Sequence, residues 1–234
     1  MEGILLFSNV YTENAFLLSQ RLKIPITLEI KANGTYIIFG AALQAKRLLE
    51  FSIRNPVKFM ILNGENITSK YYDKNDIEGK YYIQLQKHFP TYQYSQYTAD
   101  YIEKLFGIKC AGLYDFEFLN RDNKYSNNGI DLLFYGFPNE ERIRTELKLK
   151  KKYPTKNIIF AYTVYGNDLV ELIEKSKCVL NIPYFKDSAL EIHRINQALA
   201  CNCKVFSKRS VCDYLNKKYE SKITFVEDYL DIEL

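Results

Sequence analysis

The stretch CVLNIPYFKDSALEIHRINQALACNCKVFS, Cys178 to Ser207, decides the fold. It opens on an apolar, partly β-branched run, Cys178 to Ile182, whose length suits a buried strand. Pro183 stops that run, and Tyr184 to Ser188 reads as a polar loop. Leu190, Ile195, Ala198 and Leu199 then recur at helical spacing, with Glu191, Arg194 and Gln197 between them at i, i+3 and i+6. After a short Cys-Asn-Cys turn, Lys204 to Ser207 is a second strand. In open α/β sheets, ligands bind beyond the carboxyl ends of the strands. Helix starts there also favour anions. Ser188, Glu191 and Arg194 are therefore candidates to face a ligand crevice. The same spacing also fits an ordinary βαβ unit whose Glu and Arg are solvated or paired with each other.

The pattern continues on both sides of this stretch. Upstream, Ile130 to Gly136 reads as a buried strand, and Asn139 opens a helix to about Lys151 with Glu140 and Glu141 in its first turn. Asn157 to Tyr162 is a strand, and Gly166-Asn167-Asp168 leads into a helix ending near Lys175. Downstream come a helix over Val211 to Lys218, a strand over Ile223 to Val226, and a last helix or tail. The first half alternates in the same way. Strands are expected at Gly3–Ser8, Ile24–Ile30, Thr35–Gly40, Val57–Leu62, Tyr92–Ser95 and Cys110–Tyr114. Helices are expected at Ala15–Leu22, Gly40–Phe51 and Thr98–Phe106, with a short amphipathic stretch at Lys80–Lys87. Tyr72 to Gly79 reads as a polar surface excursion. Asn120 to Gly129 is the most turn-rich segment and marks a boundary. The expectation is α/β: two small Rossmann-like domains, 1–122 and 123–234, with a ligand cleft between them. One continuous doubly wound domain is the alternative. No internal sequence repeat stands out.

Composition narrows the function. The chain has 234 residues, 47% of them hydrophobic, enough to bury a core. A net charge of +4, dispersed except for Lys148 to Lys152, argues against a nucleic-acid partner. The five cysteines form no CxxC pair, and with only two histidines a Cys/His metal site is not expected. Reduced thiols in a cytoplasmic protein fit best. The apolar run at the start is too short for a signal peptide and reads as a strand. No stretch reaches the roughly 18–20 apolar residues of a membrane span. Asn66-Ile67-Thr68 matches a glycosylation sequon, which is not expected to be read without a secretory signal. Walker A and GxGxxG patterns are absent, which disfavours ATPase and dehydrogenase readings.

The segment LEIHRINQALACNCKVFS resembles the donor-binding segment of GT-B glycosyltransferases, and most of all the CgeB-like and large-DNA-virus group. The resemblance covers most of the second half and the first half loosely. It implies that Glu191 holds a nucleotide ribose. FYGFPNEERIR, Phe134 to Arg144, resembles the Tyr-Gly … Asn-x-x-Arg segment of that group, which implies that Gly136 and Arg142 approach the donor phosphates. An exposed helix arginine paired with Glu146 is the alternative. AYTVYGNDL, Ala161 to Leu169, is another strand–Gly–helix junction, and the resemblance implies that the donor base packs against this loop, so Tyr162, Tyr165 and Gly166 are donor-site candidates, with Tyr184 a third aromatic. Arg194 could neutralise a phosphate, with Lys186 or Lys208 assisting. Gln197 stands where many members have Glu, and Asn202 where they have Gly. The paired-Glu pattern of the large retaining group is therefore absent, since Ala189 lies eight residues before Gln197.

An inverting transferase needs a base to take the acceptor's proton. Candidates at strand ends are Glu13, Glu65 and His88, with Glu65 in LNGEN resembling a stretch of related chains. Asp-x-Asp is absent, the nearest sequence being Asp115-Phe116-Glu117, so no metal or other cofactor is expected. The resulting expectation is a metal-independent, inverting hexosyl- or deoxyhexosyltransferase. Its partners are a UDP- or GDP-linked sugar and a glycan acceptor, and it acts as monomer or homodimer without nucleic acid. A non-catalytic nucleotide-sugar or protein-binding module on a degenerate GT-B fold is the competing expectation.

Overall fold

A parallel strand covered by helices on both faces reads as a continuous apolar run, and IDLLFYG is such a run at Ile130–Gly136. In the computed structural model, which describes residues 1–65, 69–121 and 129–234, the chain divides into two compact units, Met1–Glu117 and Phe118–Leu234. The division expected at 122/123 lies outside the described residues, as do the sequon and most of the turn-rich segment.

The first unit runs β1 (Gly3–Leu6), α1 (Thr12–Leu22), β2 (Ile26–Thr27), β3 (Thr35–Phe39), α2 (Ala45–Arg54), β4 (Lys58–Asn63), α3 (Ile77–His88), β5 (Thr91–Gln93), α4 (Gln96–Phe106) and β6 (Gly112–Leu113). Among the described residues its strands form one sheet in the order β2-β1-β3-β4-β5-β6, every pair parallel. Asp76 caps α3 by accepting from the Glu78 and Gly79 amides, and Ser95 caps α4 through the Thr98 amide. Gly107, at φ 67°, ends α4 in the left-handed conformation that glycine adopts without strain. Two expectations are corrected here. The strand expected over Ile24–Ile30 is two residues long, and Tyr72 is buried against Tyr82 and Phe106 rather than on a surface excursion.

The second unit runs β7 (Ile130–Gly136), α5 (Glu140–Lys152), β8 (Ile158–Tyr162), α6 (Gly166–Glu174), β9 (Ser176–Asn181), α7 (Ile192–Ala200), β10 (Lys204–Ser207), α8 (Asp213–Tyr219) and β11 (Thr224–Phe225). Its sheet order is β11-β10-β9-β7-β8, again all parallel. Asn139 caps α5 by accepting from the Arg142 amide at 2.9 Å. Leu132, Phe134, Leu180, Ile182 and Phe206 form the wholly buried centre. Each such side chain contributes about 1.5–3 kcal/mol of burial.

Read from β8, the second sheet follows the doubly wound order 2-1-3-4-5, and the first five strands of the first unit follow the same order. No sequence repeat announces this repetition. In each unit the chain reverses direction across the sheet once, between β1 and β3 and between β7 and β9. Helices on either side of that point diverge and leave a crevice at the carboxyl ends.

Candidate functional site

At the β7/β9 switch point, two buried arginines flank one carboxylate. Arg142 enters from α5 and is 1% exposed. Its Nε and Nη2 donate to the Ile182 carbonyl at 3.1 and 2.5 Å, and its Nη1 to the Phe137 carbonyl at 2.7 Å. Nη2 also lies 3.3 Å from Glu191 Oε1. The guanidinium stacks on Phe134 and Tyr184, 4.9 and 5.2 Å from the ring centres. Burial, and next the neighbouring Arg194, hold its pKa down at about 10, so it remains a cation at neutral pH. Arg142 thus pins the ends of β7 and β9 together. It does not pair with Glu146, which instead pairs with Lys150 and accepts from the Tyr162 hydroxyl.

Arg194 enters from the first turn of α7. Its Nε donates to the Tyr135 carbonyl at 3.0 Å, and its Nη1 donates to Asn181 Oδ1 at 2.8 Å and pairs with Glu191. Tyr135 returns its hydroxyl to the Arg194 carbonyl at 3.0 Å. Gly136 is required by this crowding. It sits at φ 139°, and a Cβ there would stand 2.8 Å from Arg194 Nη2 and 3.3 Å from Arg142 Nη1.

Glu191 precedes α7 without capping it, because its carboxylate is committed elsewhere. It accepts from the Tyr184 amide at 2.8 Å and from both arginines. A carboxylate offers about four acceptor sites, so roughly one remains for a ligand, and the side chain is 23% exposed.

The other donor-site candidates lie around this cluster. Tyr184 is exposed, and its carbonyl accepts from Asn139 Nδ2. Tyr162 and Tyr165 are half-buried at the carboxyl end of β8, where burial raises both phenols. The Tyr165 ring lies 6.2 Å from Phe137, and its buried hydroxyl has no hydrogen-bond partner among the described residues. Between them, Thr163 is held at φ 61°, a costly conformation for a β-branched residue. Gly166, at φ 64°, opens α6. Ser188 is 4% exposed, and its hydroxyl has no hydrogen-bond partner among the described residues. It lines a cavity of about 210 Å³ at the carboxyl ends of β9 and β10, together with Asn181, Ser207 and Lys208. Asn181 went unread in the sequence. Its amide donates to Ser207 Oγ at 3.0 Å and its oxygen accepts from Arg194, so it ties β9 to β10 and α7. The available signal was a polar residue inside an apolar strand.

In the first unit, Glu13 and Glu65 both lie at the carboxyl edge, Glu13 in the first turn of α1 and Glu65 after β4. Burial pushes the Glu65 carboxyl up to about 7. Its amide donates to Asn63 Oδ1, which also accepts from the Tyr82 hydroxyl at 2.7 Å. Asn63 Nδ2 donates to Gln93 at 2.6 Å, continuing to Gln86 and Tyr72 as a buried polar chain. A Cβ at Gly64 would stand 2.1 Å from the Tyr11 hydroxyl, so only glycine fits there. His88 ends α3, exposed, with Nδ1 3.2 Å from the Gln84 carbonyl. Because α3 runs back to the start of β5, His88 lies at the opposite sheet edge and does not join the two carboxyl groups.

Among the described residues, no group of three or more His, Cys, Asp or Glu side chains is placed to hold a metal ion, and no helix is long and apolar enough to cross a membrane. No protein-family model matches the chain, and no curated protein matches it.

Proposed function

We propose that this chain is a glycosyltransferase moving a sugar from a UDP- or GDP-linked donor to a glycan hydroxyl, on a GT-B-like fold. The observation that carries this reading is the Arg142–Glu191–Arg194 cluster at the β7/β9 switch point, joined through Asn181 to a cavity at the carboxyl ends of β9 and β10, in segments that resemble the GT-B donor site. Two buried cations around one carboxylate leave an excess positive charge, which favours an anionic ligand at the adjoining surface. The remaining acceptor site on Glu191 suits one ligand hydroxyl. In an inverting transfer, the donor's anomeric C–O bond breaks, the nucleoside diphosphate leaves with the electron pair, and the acceptor oxygen takes its place. The acceptor's proton goes to a base. Glu13 and Glu65 are the candidates in the first unit, and a carboxyl titrating near 7 is suited to exchanging a proton at neutral pH. Metal independence belongs to the same proposal.

The test is calorimetric melting with UDP-, GDP-, dTDP- and CMP-sugars. A donor present at a hundred times its Kd stabilises the native state by about 2.7 kcal/mol. Absence of any shift overturns the reading. A donor that shifts the melt but releases no nucleoside diphosphate on incubation with glycan acceptors selects the non-catalytic binding module instead.

A further inference from the structure

All three guanidinium nitrogens of Arg142 are turned onto Ile182, Phe137 and Glu191, and Nε and Nη1 of the buried Arg194 onto Tyr135, Asn181 and Glu191, so neither side chain offers an uncommitted bidentate fork to a ligand. Their excess charge acts on a phosphate from behind these contacts, and the cation that touches it is another group of this unit. Lys208, the first residue after β10, is half-buried, with its ammonium 4.9 Å over the Tyr229 ring. Among the described residues no carboxylate forms an ion pair with it, whereas Arg209 beside it pairs with Glu220 at 3.0 Å. Lys208 lines the 210 Å³ cavity and also a neighbouring one of about 300 Å³ bounded by Arg144, Lys148, Asp228 and Tyr229.

The hydroxyls of the first cavity differ in their commitments. Ser207 donates to the Lys208 carbonyl and accepts from Asn181, and Ser210 donates to Asn216. Among the described residues, Ser188 alone of these three has a buried hydroxyl with no hydrogen-bond partner. Leaving such a buried group unsatisfied is destabilising. A site that holds a ligand would retain it at that cost. Asp187, the acid on this wall, is exposed and held at φ 57°. The cavity is smaller than the ~300–1,000 Å³ pockets that enclose a drug-sized molecule. It suits one end of a ligand.

We propose that this cavity is an anion subsite in which Lys208 and the Ser188 hydroxyl take the diphosphate of the ligand. The inference rests on the nucleotide-sugar reading for the identity of that ligand, and assigns the phosphate to Lys208 rather than to Arg142 or Arg194. In this arrangement the buried arginines are positioning residues that fix the walls of the crevice, and Lys208 supplies the contact charge.

Titration calorimetry with inorganic pyrophosphate, UDP, GDP and uridine tests it at low and high salt. Lys208→Gln should weaken pyrophosphate and the preferred nucleoside diphosphate by about tenfold to a hundredfold, and less at high salt. Lys148→Gln, which removes the same charge from the second cavity only, should not. Ser188→Ala should also weaken pyrophosphate while leaving the melting temperature equal or higher, because the substitution deletes an unsatisfied polar group. If the wild-type chain binds a nucleoside diphosphate and Lys208→Gln binds it equally well, the subsite is refuted while the transferase reading survives. If pyrophosphate binds through Lys208 but no nucleotide is preferred over it, the subsite stands and the nucleotide-sugar reading falls. If the wild-type chain binds none of these probes at millimolar concentration, both fall.

Discussion

Arg142→Ala tests whether this arginine is a structural clamp. The side chain is 1% exposed and its donors serve two backbone carbonyls and one carboxylate. Truncation affects these partners unequally. Ile182 keeps a donor in Arg194 Nη1 at 3.3 Å, and Glu191 keeps Arg194 and the Tyr184 amide. Phe137 loses the guanidinium that its carbonyl accepts from, but this residue is exposed and water can take the place of the donor, so that loss is small. The stacking on Phe134 and Tyr184 is also lost, and a space the size of a long side chain opens beneath α5. Breaking a buried ion pair from one side costs about 3–5 kcal/mol. Here the removed group is one of two cations on one anion, so relief of the repulsion between Arg142 and Arg194 offsets part of that. The expected loss is about 3 kcal/mol, near the lower end of the range.

Urea unfolding followed by far-ultraviolet circular dichroism reads this directly. With a slope of about 1–3 kcal/mol per molar urea, the midpoint should fall by roughly 1–3 M with the slope unchanged. Arg144→Ala is the control. Its guanidinium is exposed and pairs with Glu140 one turn away, a contact of about 0.3–0.5 kcal/mol. If Arg142→Ala unfolds within 0.5 kcal/mol of wild type, the clamp is refuted and Arg142 is again available as a ligand contact.

Gly136→Ala should be among the most damaging small substitutions in the second unit, because the new methyl meets Arg194 Nη2 at 2.8 Å and the backbone sits at φ 139°; a melting temperature equal to wild type would refute the close approach. Glu65 carries a sign for pH. Its native carboxyl titrates at about 7, above an unfolded value near 4.3, so the native state binds the extra proton between these pH values and stability falls as pH rises through that window, levelling off above about 7. Glu65→Gln should flatten that slope and raise the melting temperature at pH 8 relative to wild type; parallel pH profiles would reject the assignment. Cys201, Cys203 and Cys212 are buried, and burial pushes the Cys203 thiol up to about 12. Alkylation of the native protein at pH 8, read by mass spectrometry, should therefore spare these three until denaturant is added; rapid labelling of any of them would contradict the core.

The parts of the fold readable in the sequence were those whose signal is local. Ile130–Gly136 and Lys204–Ser207 are strands to the residue because both are apolar runs with a clear stop. Asn139 caps its helix because an asparagine followed by two acids satisfies the first amides wherever the helix packs. Asn202, in the Cys-Asn-Cys turn, adopts φ 55°, a conformation asparagine tolerates. The short edge strands β2, β6 and β11 were overextended, since apolar content continues past the point where a neighbouring strand stops pairing. The repeated strand order was not readable at all, because it is a property of which strands pair. The same limit applied to Arg142. Its helical position was clear, but a long side chain points inward or outward according to the carbonyls within its reach, here Ile182 forty positions away.

Glu191 shows how the structural and functional alternatives for this site combine. The sequence posed them as exclusive, a partner of Arg194 or a ligand for a ribose. The carboxylate in fact has three donors, and the lost capacity is what fixes it in place. A free glutamate at a crevice edge samples several rotamers, and ordering it on binding costs up to about 2 kcal/mol. Held by two guanidinium groups and an amide, Glu191 has already lost that freedom on folding. Its remaining acceptor site can therefore be offered to one hydroxyl without further ordering, which is preorganisation in the sense that raises affinity. The cost appears as specificity of a narrower kind, since one remaining site selects a single hydroxyl and not a bidentate pair. On this view the arginines serve the ligand through Glu191 and the strand ends they pin, while the charge that meets an anion comes from Lys208.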